Sequence, residues 1–129
     1  MRILLDTHAL LWWLAGSSRL PKTWRKSLQD GSVPVHVSAA SIWEISVKSS
    51  IGKLSITMPR KVTLAGLAKA CGFADLPIDA RHAAAVADLP MHHADPFDRL
   101  LIAQAIVEKM TLVTADSAMR VYDVPLLEP

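Results

Sequence analysis

The sequence predicts an α/β fold with a central, mainly parallel sheet. Short apolar runs alternate with longer segments whose apolar residues recur at helical spacing. The run Ile3–Leu5 is wholly apolar, which is typical of a central parallel strand that is buried on both faces. Strands that alternate with helices in this way indicate βαβ units.

Strand signals occur at intervals along the whole chain. The predicted strands are Ile3–Leu5, 33–37, 73–78 and Thr111–Val113, with a weaker candidate at 124–127. The second of these is rich in β-branched residues. Pro77 weakens the third and places it near an edge, because proline cannot donate to a strand ladder. Residues 53–58 are expected to form a loop or a short edge strand.

Helices are predicted between these strands, and their ends carry recognisable signals. Gly16 ends the first helix, Pro21 opens the second, Asp79 caps the fifth, and Asp95 with Pro96 begins the longest. The predicted helices are about 8–15, 21–29, 39–49, 59–71, 80–89 and 96–109, with a short helical turn at 116–120.

The composition is that of one folded domain over residues 1–129. Apolar residues make up 51% and charged residues 20%, which is enough for a core and argues against disorder. The net charge of +2 gives no strong electrostatic footprint for nucleic acid. Cys71 is the only cysteine, which excludes an internal disulfide and a cysteine-rich zinc site. Asp6 and His8 interrupt the apolar N-terminal run, so we expect a soluble, cytoplasmic protein.

Acidic residues follow the predicted strands at the points where helices begin. Asp6 directly follows the first strand, Glu44 lies near the start of the helix after the second, Asp98 lies in the first turn of the long helix, and Asp116 follows strand Thr111–Val113. In an open parallel sheet these junctions meet at one edge, where ligands bind. The topology therefore predicts that these carboxylates converge.

Each acid also has a purely structural interpretation. Asp6 and Asp116 are suitable helix N-caps. Ser41 and Glu44 match a capping box, in which Glu44 would reach back to the backbone. Asp95 fits the N-cap of the long helix better than it fits a metal site, and Asp98 in the first turn could simply complement the helix dipole.

The set as a whole favours a metal site. Carboxylates that gather in a partly desolvated crevice repel one another unless a cation intervenes. Oxygen ligands suit Mg²⁺ or Mn²⁺. An ion held in this way can activate water for phosphodiester hydrolysis, so the residues alone indicate metal-dependent phosphoryl-transfer chemistry.

Segments around these acids also match a known pattern. They are Leu4-Leu5-Asp6-Thr7-His8, Ser38-Ala39-Ala40-Ser41-Ile42-Trp43-Glu44-Ile45, His93-Ala94-Asp95-Pro96-Phe97-Asp98-Arg99 and Leu112-Val113-Thr114-Ala115-Asp116. In this order they resemble the PIN-domain ribonucleases, and specifically the VapC-type toxins of bacterial toxin–antitoxin pairs. The resemblance covers nearly the whole chain and shows no departure at an acidic position.

The resemblance implies a three-layer α/β/α PIN-like fold and an Mg²⁺- or Mn²⁺-dependent endoribonuclease. It implies an RNA substrate, a VapB-like antitoxin partner and a homodimer. The metal-binding and catalytic acids would be Asp6, Glu44, Asp98 and Asp116. Residues expected beside them or near substrate are Thr7, Ser41, Thr114, Arg99 and Asp95, with a capping role open for Ser41 and Asp95 and a structural role open for Arg99.

Other residues carry weaker expectations. His8 and His93 are poor ligands for an oxygen-preferring ion. Trp12, Trp13, Trp24 and Trp43 are expected mainly in the core, with an antitoxin groove or base stacking as the alternatives. The best candidates for RNA phosphate contacts are Lys22, Arg25, Lys26, Lys48, Lys53, Arg60 and Lys61.

Two other functions remain open on the residues alone. A receiver-like signalling domain would need an adjacent acid pair after the first strand and a lysine after a late strand. The chain has Asp6 alone and Thr114-Ala115-Asp116 at those places. A non-catalytic RNA-binding module of the same fold is the other alternative, and the complete acidic set argues against it.

Overall fold

In the part of the chain that the structure describes, four parallel strands form one sheet at the centre of the molecule. The computed structural model describes residues 1–58, 61–92 and 94–129. Within that part of the chain the elements are, in order, β1 (Ile3–Leu5), α1 (Thr7–Leu14), α2 (Lys22–Gln29), β2 (Val35–Ser38), α3 (Ala39–Ser50), α4 (Leu64–Ala70), β3 (Ala74–Leu76), α5 (Ala80–Ala85), α6 (Pro96–Glu108) and β4 (Thr111–Val113). The strand order is β3-β2-β1-β4.

Helices cover both faces of the sheet. Ile3 and Leu5 pack on one face with α1 and α2, where Trp24 is almost completely buried. Leu4 points the opposite way, because side chains alternate along a strand, and packs against α6. The predicted three-layer α/β/α architecture is therefore confirmed.

Most predicted elements are present, and three differ. The helix predicted over 59–71 begins at Leu64, because the Thr63 hydroxyl caps it by accepting the N–H of Gly66; residues 59 and 60 lie outside the described residues. The predicted strand 124–127 is wrong: only a single bridge joins Leu112 to Leu126 in the described residues. The helix after Asp79 continues beyond α5 as a 3-10 turn over Val86–Asp88.

The third strand occupies the edge that Pro77 predicted. Residues 53–58 form neither helix nor strand. None of the helices in the described residues is long and apolar enough to cross a membrane.

Candidate metal centre

Strand register brings the first and last acidic segments together. Leu5 pairs with Val37 on one side and with Val113 on the other. The residues that follow these positions therefore leave the sheet at the same edge, and the N–H of Asp6 donates to the carbonyl of Val113 at 3.0 Å.

Asp6 lies at the centre of this edge and is only 2% exposed. Its Oδ1 accepts the N–H of Ala9 at 2.8 Å, so it caps α1. Its carboxylate also accepts a hydrogen bond from Thr114. Burial raises the pKa of Asp6, and these hydrogen bonds oppose the rise. The capping role predicted for Asp6 is real, but it leaves the carboxylate at the junction of β1 and β4.

Glu44 is buried on α3 and reaches across to α1. The Thr7 hydroxyl donates to Glu44 Oε1 at 2.6 Å and lies 3.2 Å from the hydroxyl of Ser41. The N-cap of α3 is Ser38, whose Oγ accepts the N–H of Ala40. The capping box between Ser41 and Glu44 is therefore wrong: Glu44 lies well inside the helix and contacts Thr7.

Asp95 and Asp98 have different settings in the first turn of α6. Asp95 Oδ1 accepts the N–H groups of Phe97 and Asp98 at 2.9 and 3.1 Å, which makes Asp95 the N-cap. Asp98 is the third residue of α6 and is half-buried.

Asp116 caps the short helical turn that follows β4. Its Oδ1 accepts the N–H of Ala118 at 2.9 Å, and its own N–H donates to the Thr114 hydroxyl at 3.0 Å. Thr114 is buried and contacts both Asp6 and Asp116. One hydroxyl therefore links two of the acids.

The acids from these separate segments are close enough to influence one another electrostatically. The pKa of Asp98 is raised to about 7, first by burial and then by the negative charges of Asp95, Glu44, Asp6 and Asp116. A carboxyl group that four others perturb in this way lies within a concentrated negative field. We call Asp6, Glu44, Asp98 and Asp116 the acidic cluster.

Comparison with known proteins identifies the family. The family model described as PIN domain matches residues 3–125. The chain belongs to the PIN domain family. PIN domains of toxin–antitoxin systems are generally nucleases that use divalent metals. No curated protein sequence matches.

Solved structures share the PIN fold at low sequence identity. VapBC2 from Rickettsia felis, bound to a promoter DNA fragment, is 16% identical with a TM-score of 0.72, covering 99% of this chain and 98% of that one. FitAcB from Neisseria gonorrhoeae is 22% identical with a TM-score of 0.66, covering 98% and 97%. DNA-bound VapBC from Salmonella typhimurium is 14% identical with a TM-score of 0.65, covering 99% and 97%.

The acidic cluster of this PIN domain fits a hard divalent cation. Its potential ligands are carboxylate oxygens, which Mg²⁺ and Mn²⁺ prefer. The neighbouring negative charges that raise the pKa of Asp98 are the charges that a bound cation would neutralise. No three of these four acids have ligand atoms that all lie within 4.8 Å of one another among the described residues.

A tighter group of potential ligands lies elsewhere and has a structural explanation. Asp79, His82 and Glu108 are the described residues whose ligand atoms do lie within 4.8 Å. His82 Nδ1 accepts the N–H of Asp79 at 3.1 Å, and Nε2 lies 2.8 Å from Glu108 Oε1. Arg81 donates to both carboxylates at 2.8 Å. Both ring nitrogens and both carboxylates therefore already have protein partners. We interpret this group as the N-terminal cap of α5, in which Arg81 bridges the two carboxylates, and not as a metal site.

Several predicted site residues lie outside the acidic cluster. Arg99 is buried and donates to the carbonyls of Val86 and Pro90 at 3.1 and 2.9 Å and to the Tyr122 hydroxyl at 3.2 Å. These contacts correspond to the structural alternative. His8 is exposed, and His93 and Arg60 lie outside the described residues.

One residue beside the cluster was expected in a different role. Lys48, predicted as an RNA phosphate contact, forms an ion pair with Glu44 Oε2. The signal in the sequence is the spacing of four residues between Glu44 and Lys48, which puts the two side chains on the same face of a helix.

Proposed function

We propose that this PIN domain is a metal-dependent endoribonuclease that acts in the cytoplasm as the toxin of a VapBC-type toxin–antitoxin pair. The observation that carries the proposal is the match of residues 3–125 to the PIN domain model, and the negative charges of Asp6, Glu44 and Asp116 around Asp98 support it. A site with this charge is suited to concentrating a divalent cation at one edge of the sheet.

The proposed roles follow from the contacts of each residue. Asp6, Glu44, Asp98 and Asp116 would hold one or two Mg²⁺ or Mn²⁺ ions. When bound, such an ion activates water and stabilises charge on a phosphodiester. Thr114 orients Asp6 through its hydroxyl, while Thr7 holds Glu44, with Ser41 in contact with the Thr7 hydroxyl. Oriented ligands of this kind bind metal more tightly than mobile ones.

The proposed partners rest on the fold neighbours and on the surface of the chain. VapBC2 and FitAcB are toxin–antitoxin assemblies. An apolar groove of about 460 Å³ lies between α1 and residues 54–58 and includes Trp12, Leu54 and Ile56 in its lining. We assign this groove to an antitoxin peptide, which would bury the apolar lining by the helix-in-groove mode. We also expect a homodimer.

Induced expression tests the proposal in cells. Wild-type protein is expected to arrest growth and to produce new RNA 5′ ends, and co-expression of the antitoxin from the neighbouring reading frame is expected to restore growth. The matched variant is Asp6→Asn. It removes the carboxylate charge, so we expect it to be inactive, and it preserves the fold because asparagine also caps helices well. New RNA ends that persist with Asp6→Asn would contradict the assignment of this carboxylate.

A further inference from the structure

The contact between Lys48 and Glu44 has a consequence for metal binding. Glu44 has two carboxylate oxygens, and each has a protein partner: the Thr7 hydroxyl on Oε1 and the Lys48 ammonium on Oε2. The side chain of Glu44 is 5% exposed and that of Lys48 is 38% exposed. The buried carboxylate of Glu44 is therefore paired with the ammonium group of a partly exposed lysine.

This pair differs from the ordinary ion pairs of the surface. Lys69 and Asp75 have side chains 66% and 50% exposed, and Arg120 and Glu128 have side chains 47% and 70% exposed. Exposed pairs of this kind contribute little. Because Glu44 is buried, its negative charge needs a positive partner inside the protein. Removal of the Lys48 charge is therefore expected to lower the stability of the protein more than removal of a cation from an exposed pair.

Lys48 also lies within the field of the other acids. Its pKa is raised, first by the hydrogen bond to Glu44 and further by the charges of Glu44, Asp95 and Asp98. It lines a pocket of about 170 Å³ together with Thr7, His8, Glu44 and Lys53. Lys48 is thus a cation placed where the acidic cluster is expected to hold a metal.

We propose that Lys48 is an internal competitor of the metal ion, neutralising Glu44 in the metal-free protein and giving up Glu44 Oε2 when the metal binds. The inference rests on the metal site of the proposed function. A divalent ion and an ammonium on one carboxylate oxygen repel each other strongly at such short range. Metal binding therefore includes the cost of displacing Lys48, and the affinity of the site is set lower than its carboxylates alone would give.

This role makes Lys48 a positioning residue whose effect appears without RNA. By linkage, a group that stabilises the metal-free state weakens metal binding by the same factor. Removal of the ammonium is expected to destabilise the metal-free protein and to tighten metal binding. A phosphate-binding lysine would instead change the KM for RNA and leave metal affinity unchanged.

The test is calorimetric titration of Mn²⁺ into wild type and variants in the absence of RNA. Lys48→Gln is expected to lower the Kd for Mn²⁺ about tenfold, since about 1.4 kcal/mol of repulsion is removed. Lys48→Arg, which retains the charge, is expected to stay near wild type. The matched control is Lys53→Gln, which removes a charge from the same pocket and is expected to change Kd by less than about twofold because exposed charges are screened.

Thermal unfolding supplies the second measurement. In EDTA, Lys48→Gln is expected to unfold at a lower temperature than wild type, and excess Mn²⁺ is expected to narrow or reverse that difference. If Lys48→Gln does not fold, the same melting temperatures are measured for Lys48→Met, which retains the apolar part of the side chain. An unchanged or higher Kd in both neutral variants would overturn the inference.

The outcomes separate this inference from the proposed function. Wild type that binds no Mn²⁺ would overturn both. Wild type that binds Mn²⁺ but cleaves no RNA would overturn only the nuclease assignment. Wild type that binds Mn²⁺ and cleaves RNA, with Kd unchanged in Lys48→Gln, would overturn only the competitor role.

Discussion

Asp95 and Asp98 lie one turn apart and perform different tasks. The carboxylate of Asp95 accepts two backbone N–H groups at the start of α6, a contact that lowers the energy of the helix end. The carboxyl of Asp98 lies among other acids. The sequence analysis favoured the N-cap for Asp95, which the structure confirms. Its assignment of Asp98 to a metal site stays a prediction.

The pKa of Asp98 predicts a pH dependence of stability. The ordinary pKa of an aspartate is 3.8, and the pKa of Asp98 in the folded protein is about 7. Between these values the folded state binds more protons than the unfolded state, so the free energy of unfolding contributed by Asp98 falls as pH rises from about 4 to about 7. In EDTA, wild type is expected to lose thermal stability over this range more steeply than Asp98→Asn.

Comparison of wild type with Asp98→Asn measures how much stability the charge of Asp98 costs. At pH 8 in EDTA, Asp98→Asn is expected to be more stable than wild type by about 1 kcal/mol, a value reduced because the group is only partly buried. Melting curves at several pH values measure the difference. Parallel pH profiles for the two proteins would contradict the origin that we assign to this pKa.

Substitution of Arg99 is expected to lower the stability of the protein without weakening metal binding. Arg99→Met would leave the carbonyls of Val86 and Pro90 without their donor, at a cost of about 2–4 kcal/mol. Chemical denaturation measures the loss, and Mn²⁺ titration is expected to give a Kd within about twofold of wild type. A large change in Kd with intact stability would instead place Arg99 in the site.

At the scale of elements, helix ends explain where the prediction succeeded. The caps at Asp6, Asp79 and Asp95 are all present, because an N-cap is a contact between near neighbours in sequence. The N-cap of α4 at Thr63 was missed, because the predicted helix began at position 59, upstream of this cap. Residues 124–127 contain β-branched and apolar residues but make only one bridge to β4.

The C-terminal end of α6 gives an independent prediction. Lys109 caps the helix with φ of 56° and ψ of 50°, a left-handed conformation that costs a residue with a side chain about 1 kcal/mol. Lys109→Gly is therefore expected to raise the free energy of unfolding by about 0.5–1 kcal/mol. Urea denaturation tests this, and a destabilised variant would show that the lysine side chain makes a compensating contact.

At the scale of the whole molecule, sheet order determines which segments meet. β1 lies between β2 and β4, and the common register of Leu5 with Val37 and Val113 fixes their ends at one level. The convergence of acids from distant segments could be predicted because all parallel strands end at one edge. The resemblance to the family placed Thr114 beside the acids but did not say which acid it contacts. The pairing of Thr114 with Asp6 and the contact of Lys48 with Glu44 could not be predicted, because they depend on side-chain rotamers at the junctions.

Metal binding is expected to stabilise the whole domain. A ligand that binds only the folded state at about 100 times its Kd adds about 2.7 kcal/mol to the free energy of unfolding. Thermal melts with Mn²⁺ and with EDTA are expected to show this gain in wild type and in Asp95→Asn, and a much smaller one in Asp98→Asn. Equal gains in all three proteins would place the ion elsewhere.

The most direct measurement of the central claim is RNA cleavage by purified protein, with Mn²⁺ or EDTA, for wild type, Asp98→Asn and Asp95→Asn. Each variant removes one negative charge from the first turn of α6, and asparagine preserves the cap at position 95. We predict Mn²⁺-dependent cleavage by wild type, at least about 100-fold slower cleavage by Asp98→Asn, and retention of most activity by Asp95→Asn. Cleavage that persists in EDTA, or an Asp98→Asn variant as active as wild type, would contradict a metal-dependent site built on the acidic cluster.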